Sequence, residues 1–567
     1  MMLMVVAPAL AMAQISVYVQ SPPDIAGPLN FTWNDDSLTW VLRPNLNDLA
    51  NAVEDTLALV DDGTTADTLG CEALVNGGDI NGKIAVVYRG SCEFGMKALN
   101  AQNEGAVAVI IINNITGPPV GMGAGAVGDQ ISIPVVMVSD VDGAMLRDRM
   151  AQEPVVVRIG TLTNFFPYNL SVETWGIVTP PAAALPAELA LDEQDLSIEP
   201  GGYILNYGSA SQSNVRLQLE VTQDGNTVYD ETSAETTVAP GDTVYFTLPT
   251  FQQTSYSGRY EFTYSVLSDN PDSYTLNDTI EASLQIGDVF SYAEVDEDTG
   301  IPISDRYISP AGVTTAGWRS CVYFTHPNAS RVAATGLYVS VSAHQDSVFA
   351  GNFIQIQGNE WVDPITDYNT LPSATGLLEE ASGDHVLTEG DRAQPIYVPF
   401  IEPLVLQDNG NYLFCLISTD ARTWHGWDDE YSYDQHQLNN LAPLTVLEQA
   451  PGGTWYTGFV GINAAASIGV HMIDVNTIGI NENDQIEITP FPNPTVDHIR
   501  IPVAGQEGVA ALQIFSVTGE LVAEQRVRVN AQEQILVDMQ GISNGTYMFN
   551  MAFENGKRAS FRVVVSR

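Results

Sequence analysis

Basic side chains are scarce in this sequence: 21 Lys and Arg stand against 69 Asp and Glu, a formal net charge of −48 over 567 residues. Such a surface repels phosphate backbones and anionic membrane faces, which sets DNA and RNA aside as partners. The acidity instead supplies solubility in salt and a loose attraction for divalent cations. Long apolar runs are missing too. A stretch such as Ala106-Val-Ala-Val-Ile-Ile-Ile112 has the length of a strand, well short of the ~20 residues of a membrane-spanning helix. No transmembrane segment is assigned. Histidine occurs seven times, at 326, 344, 385, 425, 436, 471 and 498. No two stand at the His-Glu-x-x-His spacing that puts two imidazoles on one helical face for zinc. A Ser-His-Asp triad built from distant positions is recognised by geometry rather than by spacing. No catalytic residue, metal ligand or cofactor is therefore assigned, and Ca²⁺ is the one ion that the acidic loops invite.

Cysteine is limited to four positions. Cys71 and Cys92 lie near the start, whereas Cys321 and Cys415 sit inside the apolar runs Ser320-Cys-Val-Tyr-Phe324 and Tyr412-Leu-Phe-Cys-Leu-Ile417. Four cysteines allow three pairings. One bridge per domain selects Cys71 with Cys92 and Cys321 with Cys415, and implies an oxidising, exported environment. Neither pair has the short spacing of a zinc ligand set. The first residues agree with export: an apolar run ends in Ala11-Met12-Ala13, the small-x-small pattern of signal peptidase, although a positive n-region is lacking. Residues 1–13 are read as a signal peptide with cleavage before Gln14.

A chain of 567 residues exceeds one hydrophobic core and asks for about three to five domains. From 14 to 170 the pattern mixes strands with at least one helix. Lys83-Ile-Ala-Val-Val-Tyr88 reads as a buried strand, Phe94 to Gly105 as a glycine-terminated helix, and Ala106 to Ile112 as a second buried strand. Ile133-Pro-Val-Val-Met-Val138 gives a third. Two nucleotide-like motifs fail on context. Gly77-Gly-Asp-Ile-Asn-Gly82-Lys83 has Ile84 where a phosphate loop needs Ser or Thr, and it leads into a strand, so it reads as a β-turn. Gly123-Ala-Gly125-Ala-Val-Gly128 follows Pro118-Pro119 and precedes no helix.

The series Gly82-Lys-Ile-Ala-Val-Val-Tyr-Arg-Gly-Ser-Cys-Glu-Phe94, Lys97, Asn100-Ala-Gln-Asn-Glu-Gly-Ala106, Asn113-Asn114 and Ile133-Pro134-Val135 resembles a protease-associated (PA) domain. The resemblance implies a small barrel-like β-sandwich with flanking helices. It also implies a non-catalytic role as lid, protein-interaction surface or substrate selector, appended to peptidases and sorting receptors. At the other end, residues 488–567 resemble a type IX secretion sorting domain. The matching residues are Phe491-Pro492-Asn493-Pro494, Ile514-Phe-Ser-Val-Thr-Gly-Glu-Leu-Val522, Leu536-Val-Asp538, Gly541-Ile-Ser-Asn-Gly-Thr-Tyr547 and Phe561-Arg-Val-Val-Val565. That resemblance implies a compact seven-stranded sandwich, handling by the type IX machinery, and a secreted or bacterial cell-surface location.

Between them, Val178-Thr-Pro-Pro-Ala-Ala-Ala-Leu-Pro186 reads as a linker. Residues 187–287 then alternate with period two and resemble an immunoglobulin-like sandwich. Residues 289–472 read as a larger β-sandwich or jelly roll with long polar loops at 358–394 and 418–454. The fold class expected is mainly β and multidomain, a PA-like α+β domain followed by sandwiches.

The densest polar cluster, Trp424-His425-Gly-Trp427-Asp428-Asp429-Glu430-Tyr431-Ser-Tyr433-Asp434-Gln-His436, falls in the second long loop. Aromatics beside carboxylates suit stacking on sugar faces or oxygen ligation of Ca²⁺. Packing of the rings on the sandwich is the structural alternative. Asp269-Asn-Pro-Asp272 with Asn277-Asp278 is a lesser Ca²⁺ candidate, for which turn formation is the competing explanation. The expectation is a non-enzymatic secreted protein that binds protein or polysaccharide. A peptidase-related hydrolase with its active site in 289–472 is the rival, and a partner of a separate peptidase chain is a third reading.

Overall fold

The computed structural model describes residues 15–34, 40–309, 317–344, 347–373, 375–420, 422–429, 443–448, 453–457, 464–478, 486, 488–503, 505–506, 508–518, 520–529, 534–553 and 557–567. The signal stretch 1–13 lies outside them. The chain is built mainly of strands, and its described residues divide into two compact units, one within 15–183 and 192–285, the other within 184–191, 286–429 and 443–567.

In the first unit, strands Val53–Leu59, Ile84–Tyr88, Ala108–Ile112 and Val135–Val138 run parallel. Parallel strands are covered on both faces, and every residue from Ala108 to Ile112 is buried accordingly. Antiparallel strands, Val156–Thr161 and Ile15–Ser21 on one side and Phe31–Trp33 on the other, extend them into an eight-stranded mixed sheet. The barrel-like sandwich of the resemblance is thus realised as one sheet with a helix on each face. Helix Phe94–Asn103 contributes Ala98 and Ala101 to one core, while helix Asp140–Met150 contributes Leu146 to the other. The second helix is capped by the Ser139 hydroxyl, which accepts from the Asp142 N–H at 3.0 Å. It packs so close that a Cβ on Gly143 would stand 2.2 Å from the Ile112 side chain. Gly77–Ile80 forms one helical turn where a β-turn was expected.

A sandwich follows in the same unit. Its long strand Gln212–Gln223 alternates strictly, with Val215, Leu217, Leu219 and Val221 inside. Strand Leu170–Ile177, which begins at the last residue assigned to the first domain, pairs with Gly201–Asn206 of this sandwich.

The second unit holds two sheets across 289–474, a seven-stranded one containing Val332–Ser342 and Trp424–Asp428 and a six-stranded one containing Trp318–Phe324 and Tyr412–Ser418. The two supposed long loops contain strands Phe353–Trp361, Leu377–Val386, Trp424–Asp428 and Thr445–Glu448. The sorting region shows six strands among the described residues, not seven: His498–Pro502 with Gln534–Asp538, and a four-stranded sheet. Before them Phe491 forms an isolated bridge with Arg500, and Pro490, Pro492 and Pro494 offer no N–H to extend it into a ladder.

Candidate ligand-binding site

Strand alternation divides Trp318–Phe324 between two faces. Ser320 and Val322 point into the sandwich, and Arg319, Cys321 and Tyr323 point out. Register places Cys321 opposite Cys415 and Val446, Arg319 opposite Ile417 and Glu448, Gln357 opposite Cys415, and Glu448 opposite Trp455. Cys321 and Cys415 are disulfide-bonded across adjacent strands. With Tyr323, Trp361, Leu413, Ile417 and Val446 they make a buried apolar cluster, against which Leu377 and Trp455 pack.

A polar set adjoins that cluster. Arg319 Nε lies 2.8 Å from Glu448 Oε2, a carboxylate whose side chain is only 4% exposed. The guanidinium also sits 5.4 Å from the centre of the Trp455 ring and donates to Gln357 Oε1 at 3.4 Å. Gln357 Nε2 in turn donates to Glu379 Oε2 at 2.7 Å. Together with Asn359, Ser373 and Leu377 these residues line a depression of about 400 Å³. Planar donors, carboxylate acceptors and an indole edge are the groups that recognise hydroxyl-rich or peptide-like ligands. In the first unit a second depression of about 530 Å³ is lined by Asn76, Asp79, Lys83 and Arg147.

The acidic-aromatic cluster is arranged differently from the loop that the sequence suggested. Trp424–Asp428 is a strand paired with Val341 and Ser342 on one side and Arg306–Ile308 on the other. His425 and Trp427 are fully buried, so neither ring offers a face to a sugar. The Asp428 carboxylate accepts from the Glu294 N–H at 2.6 Å, and Asp429 pairs with Arg306. Trp424 is half-buried and meets the His344 ring edge-on at 6.4 Å. Residues 430–436, with Glu430, Tyr431, Tyr433, Asp434 and His436, lie outside the described residues. In the lesser Ca²⁺ candidate, Asp272 accepts the Tyr274 N–H at 2.7 Å, a turn bond, and the N–H of Leu170, remote in sequence, at 2.6 Å. Among the described residues no group of three or more His, Cys, Asp or Glu side chains is placed to hold a metal.

His425 stacks on Trp318 at 3.7 Å between ring centres, and its Nδ1 lies 2.7 Å from Ser320 Oγ. A Ser-His pair is thus present, but both residues are sealed in the core and His425 Nε2 meets no hydrogen-bonding partner. Burial drives the imidazole pKa well below its usual 6.5. The unfolded chain therefore binds the proton that the folded one refuses. Stability from this group is complete above about pH 6.5 and drains away as pH falls toward the folded value. We expect thermal midpoints between pH 7 and 5.5 to fall less steeply in His425→Gln than in the parent. The letters Gly-x-Ser-x-Gly also occur, at Gly541-Ile-Ser-Asn-Gly545. They form a turn into strand Gly545–Phe553, where a nucleophile elbow leads from strand to helix.

Cys71 is bonded to Cys92 in the first unit. Beside that bridge, Lys97 is fully buried on its helix. Its ammonium donates to the Leu69 carbonyl at 2.7 Å and lies 3.5 Å from Cys71 Sγ. Burial lowers its pKa to about 8 against the opposing pull of Asp62. Asn100 Nδ2 adds a bond to Gly70 O at 2.9 Å, so one helix face clamps the loop that carries Cys71.

Lys97 and Asn100 belong to the series that resembles a PA domain. The PA domain family matches residues 53–146, and the secretion system C-terminal sorting domain matches residues 489–566. The chain carries both domains. With its sorting domain, the protein is secreted or displayed at the bacterial cell surface and is handled by the type IX machinery. No helix among the described residues is long and apolar enough to cross a membrane.

The chain is also similar to a probable leucine aminopeptidase 2 of Aspergillus fumigatus, 28% identical over 33% of this chain and 35% of that one. It is 36% identical to the ER degradation-enhancing alpha-mannosidase-like protein 3 of Homo sapiens, over 15% of this chain and 10% of that one. Among solved structures, an aminopeptidase from Aneurinibacillus sp. strain AM-1 is 26% identical over 26% of this chain and 30% of that one, with a TM-score of 0.20. The chain thus spans about a third of the first of these relatives.

Proposed function

We propose that the protein is a non-enzymatic extracellular binding protein, which takes a polysaccharide or protein ligand on the outer face of its 289–472 sandwich and uses the PA domain as a second interaction surface. The observation that carries this reading is the polar set Arg319, Glu448, Gln357 and Glu379, which lines a surface depression together with Trp455 and Leu377, the latter two packed on the Cys321–Cys415 cluster. The Ser320–His425 pair, by contrast, is walled off from any substrate. Similarity to aminopeptidases favours the rival, a peptidase-related hydrolase. Binding of the exported protein to arrays of extracellular polysaccharides and proteins tests the proposal. Trp455→Ala and Gln357→Ala should each weaken the selected ligand about ten-fold or more, equivalent to ~1.4 kcal/mol, at unchanged thermal stability. Binding that both variants retain in full would remove the site.

A further inference from the structure

The sorting domain differs electrostatically from everything before it. Residues 488–567 hold seven Lys and Arg and seven Asp and Glu, so residues 1–487 carry the whole formal charge of −48. Within this neutral domain the cations are not scattered. Arg526 stands opposite Ala511, Ala511 opposite Ala552, and Ala552 opposite Arg558, one row across the four-stranded sheet. Arg528 and Arg562 project from the same face, opposite Val509 and Met548. The alternate residues, Ala510, Leu512, Ile514, Phe549, Met551 and Phe561, form the core behind it.

All four arginines are exposed, and among the described residues none forms an ion pair. Among the described residues one carboxylate, Glu524, shares the face and accepts from Gln513 at 3.3 Å. Strands spaced ~4.8 Å apart set Arg526 and Arg558 about 14 Å from each other, with only two alanine methyls between. At the Arg562 end the face meets an apolar rim of Val517, Leu521 and Met548, which are 72%, 47% and 39% exposed.

We propose that this face docks the sorting domain on the phosphate headgroups of an anionic lipid surface. Guanidinium groups pair with phosphates in bidentate fashion, and the apolar rim enters the headgroup boundary. Cations at intervals, with small alanines between them and apolar residues at one end, fit a fluid headgroup layer. The acidic body does not cancel the attraction, because repulsion beyond a Debye length of ~8 Å is screened at physiological salt.

The test is flotation of the full chain with phosphatidylglycerol-phosphatidylcholine vesicles and with phosphatidylcholine vesicles alone. Binding should require phosphatidylglycerol and be reversed by high salt. Each arginine near such a surface adds about five-fold to partition, so the triple variant R526Q/R558Q/R562Q should lose about a hundred-fold. Leu521→Ser with Met548→Ser should lose about ten-fold. Circular dichroism melting checks that both variants fold. Equal binding to neutral vesicles, or full retention by the folded triple variant, would overturn the proposal. Capture by immobilised polyglutamate without vesicle binding would overturn it in favour of an acidic polypeptide.

Discussion

Replacing Arg319 with methionine is expected to destabilise the 289–472 sandwich by about 3–5 kcal/mol, because the buried Glu448 carboxylate then loses its guanidinium. Taking a charge out of water is costly, and the pair tolerates burial because each member neutralises the other. The loss therefore comes from the residue left behind rather than from the arginine itself. Removing both charges with R319M/E448L should recover most of the stability. Urea unfolding followed by tryptophan fluorescence reads these differences. Equal losses in the single and double variants would mean that the pair contributes little beyond packing.

The second large effect concerns the buried cluster against which Leu377 and Trp455 of the depression pack. Cys321 and Cys415 are 94 residues apart in sequence, and closing a loop of that length restricts the unfolded chain by about 4–5 kcal/mol on the chain-entropy account. Cys71 and Cys92 are 21 apart, which corresponds to about 3 kcal/mol. C321A/C415A should thus lower the urea midpoint of its domain, and it should weaken ligand binding as well, because Gln357 and Val446 flank the bridge. C71A/C92A should leave binding at the Trp455 site untouched. Equal ligand loss in the two double variants would break the link between the bridge and the site.

How legible these features were depends on what carries them. The parallel strands of the PA domain are continuous apolar runs, Ile84–Tyr88 and Ala108–Ile112, and burial on both faces is what such runs signify. Helix Asp140–Met150 was invisible because its sequence, Asp-Val-Asp-Gly-Ala-Met-Leu-Arg-Asp-Arg-Met, has little apolar periodicity; only the Ser139 cap and Asp142 mark its start. Strand Trp424–Asp428 was read as a ligand loop because His, Trp and Asp look exposed until their partners are known. Ser320, Trp318 and the Glu294 N–H, remote in sequence, satisfy or cover them.

The ligand depression shows the same limit more sharply. Arg319, Gln357, Glu379, Glu448 and Trp455 come from five strands, and only sheet register brings them together. The signal available beforehand was the pair of cysteines inside apolar runs, which requires Trp318–Phe324 and Tyr412–Ser418 to be neighbours. Charge on a supposed buried strand, as at Arg319, was the other mark of an outward face.

The most direct test of extracellular binding without turnover is incubation of the exported protein with a broad panel of peptides and polysaccharides, with bound and free fractions read by mass spectrometry. The account predicts that a ligand is recovered intact from the protein and that Trp455→Ala releases it. New cleavage products that vanish on a single substitution such as His425→Ala would contradict it.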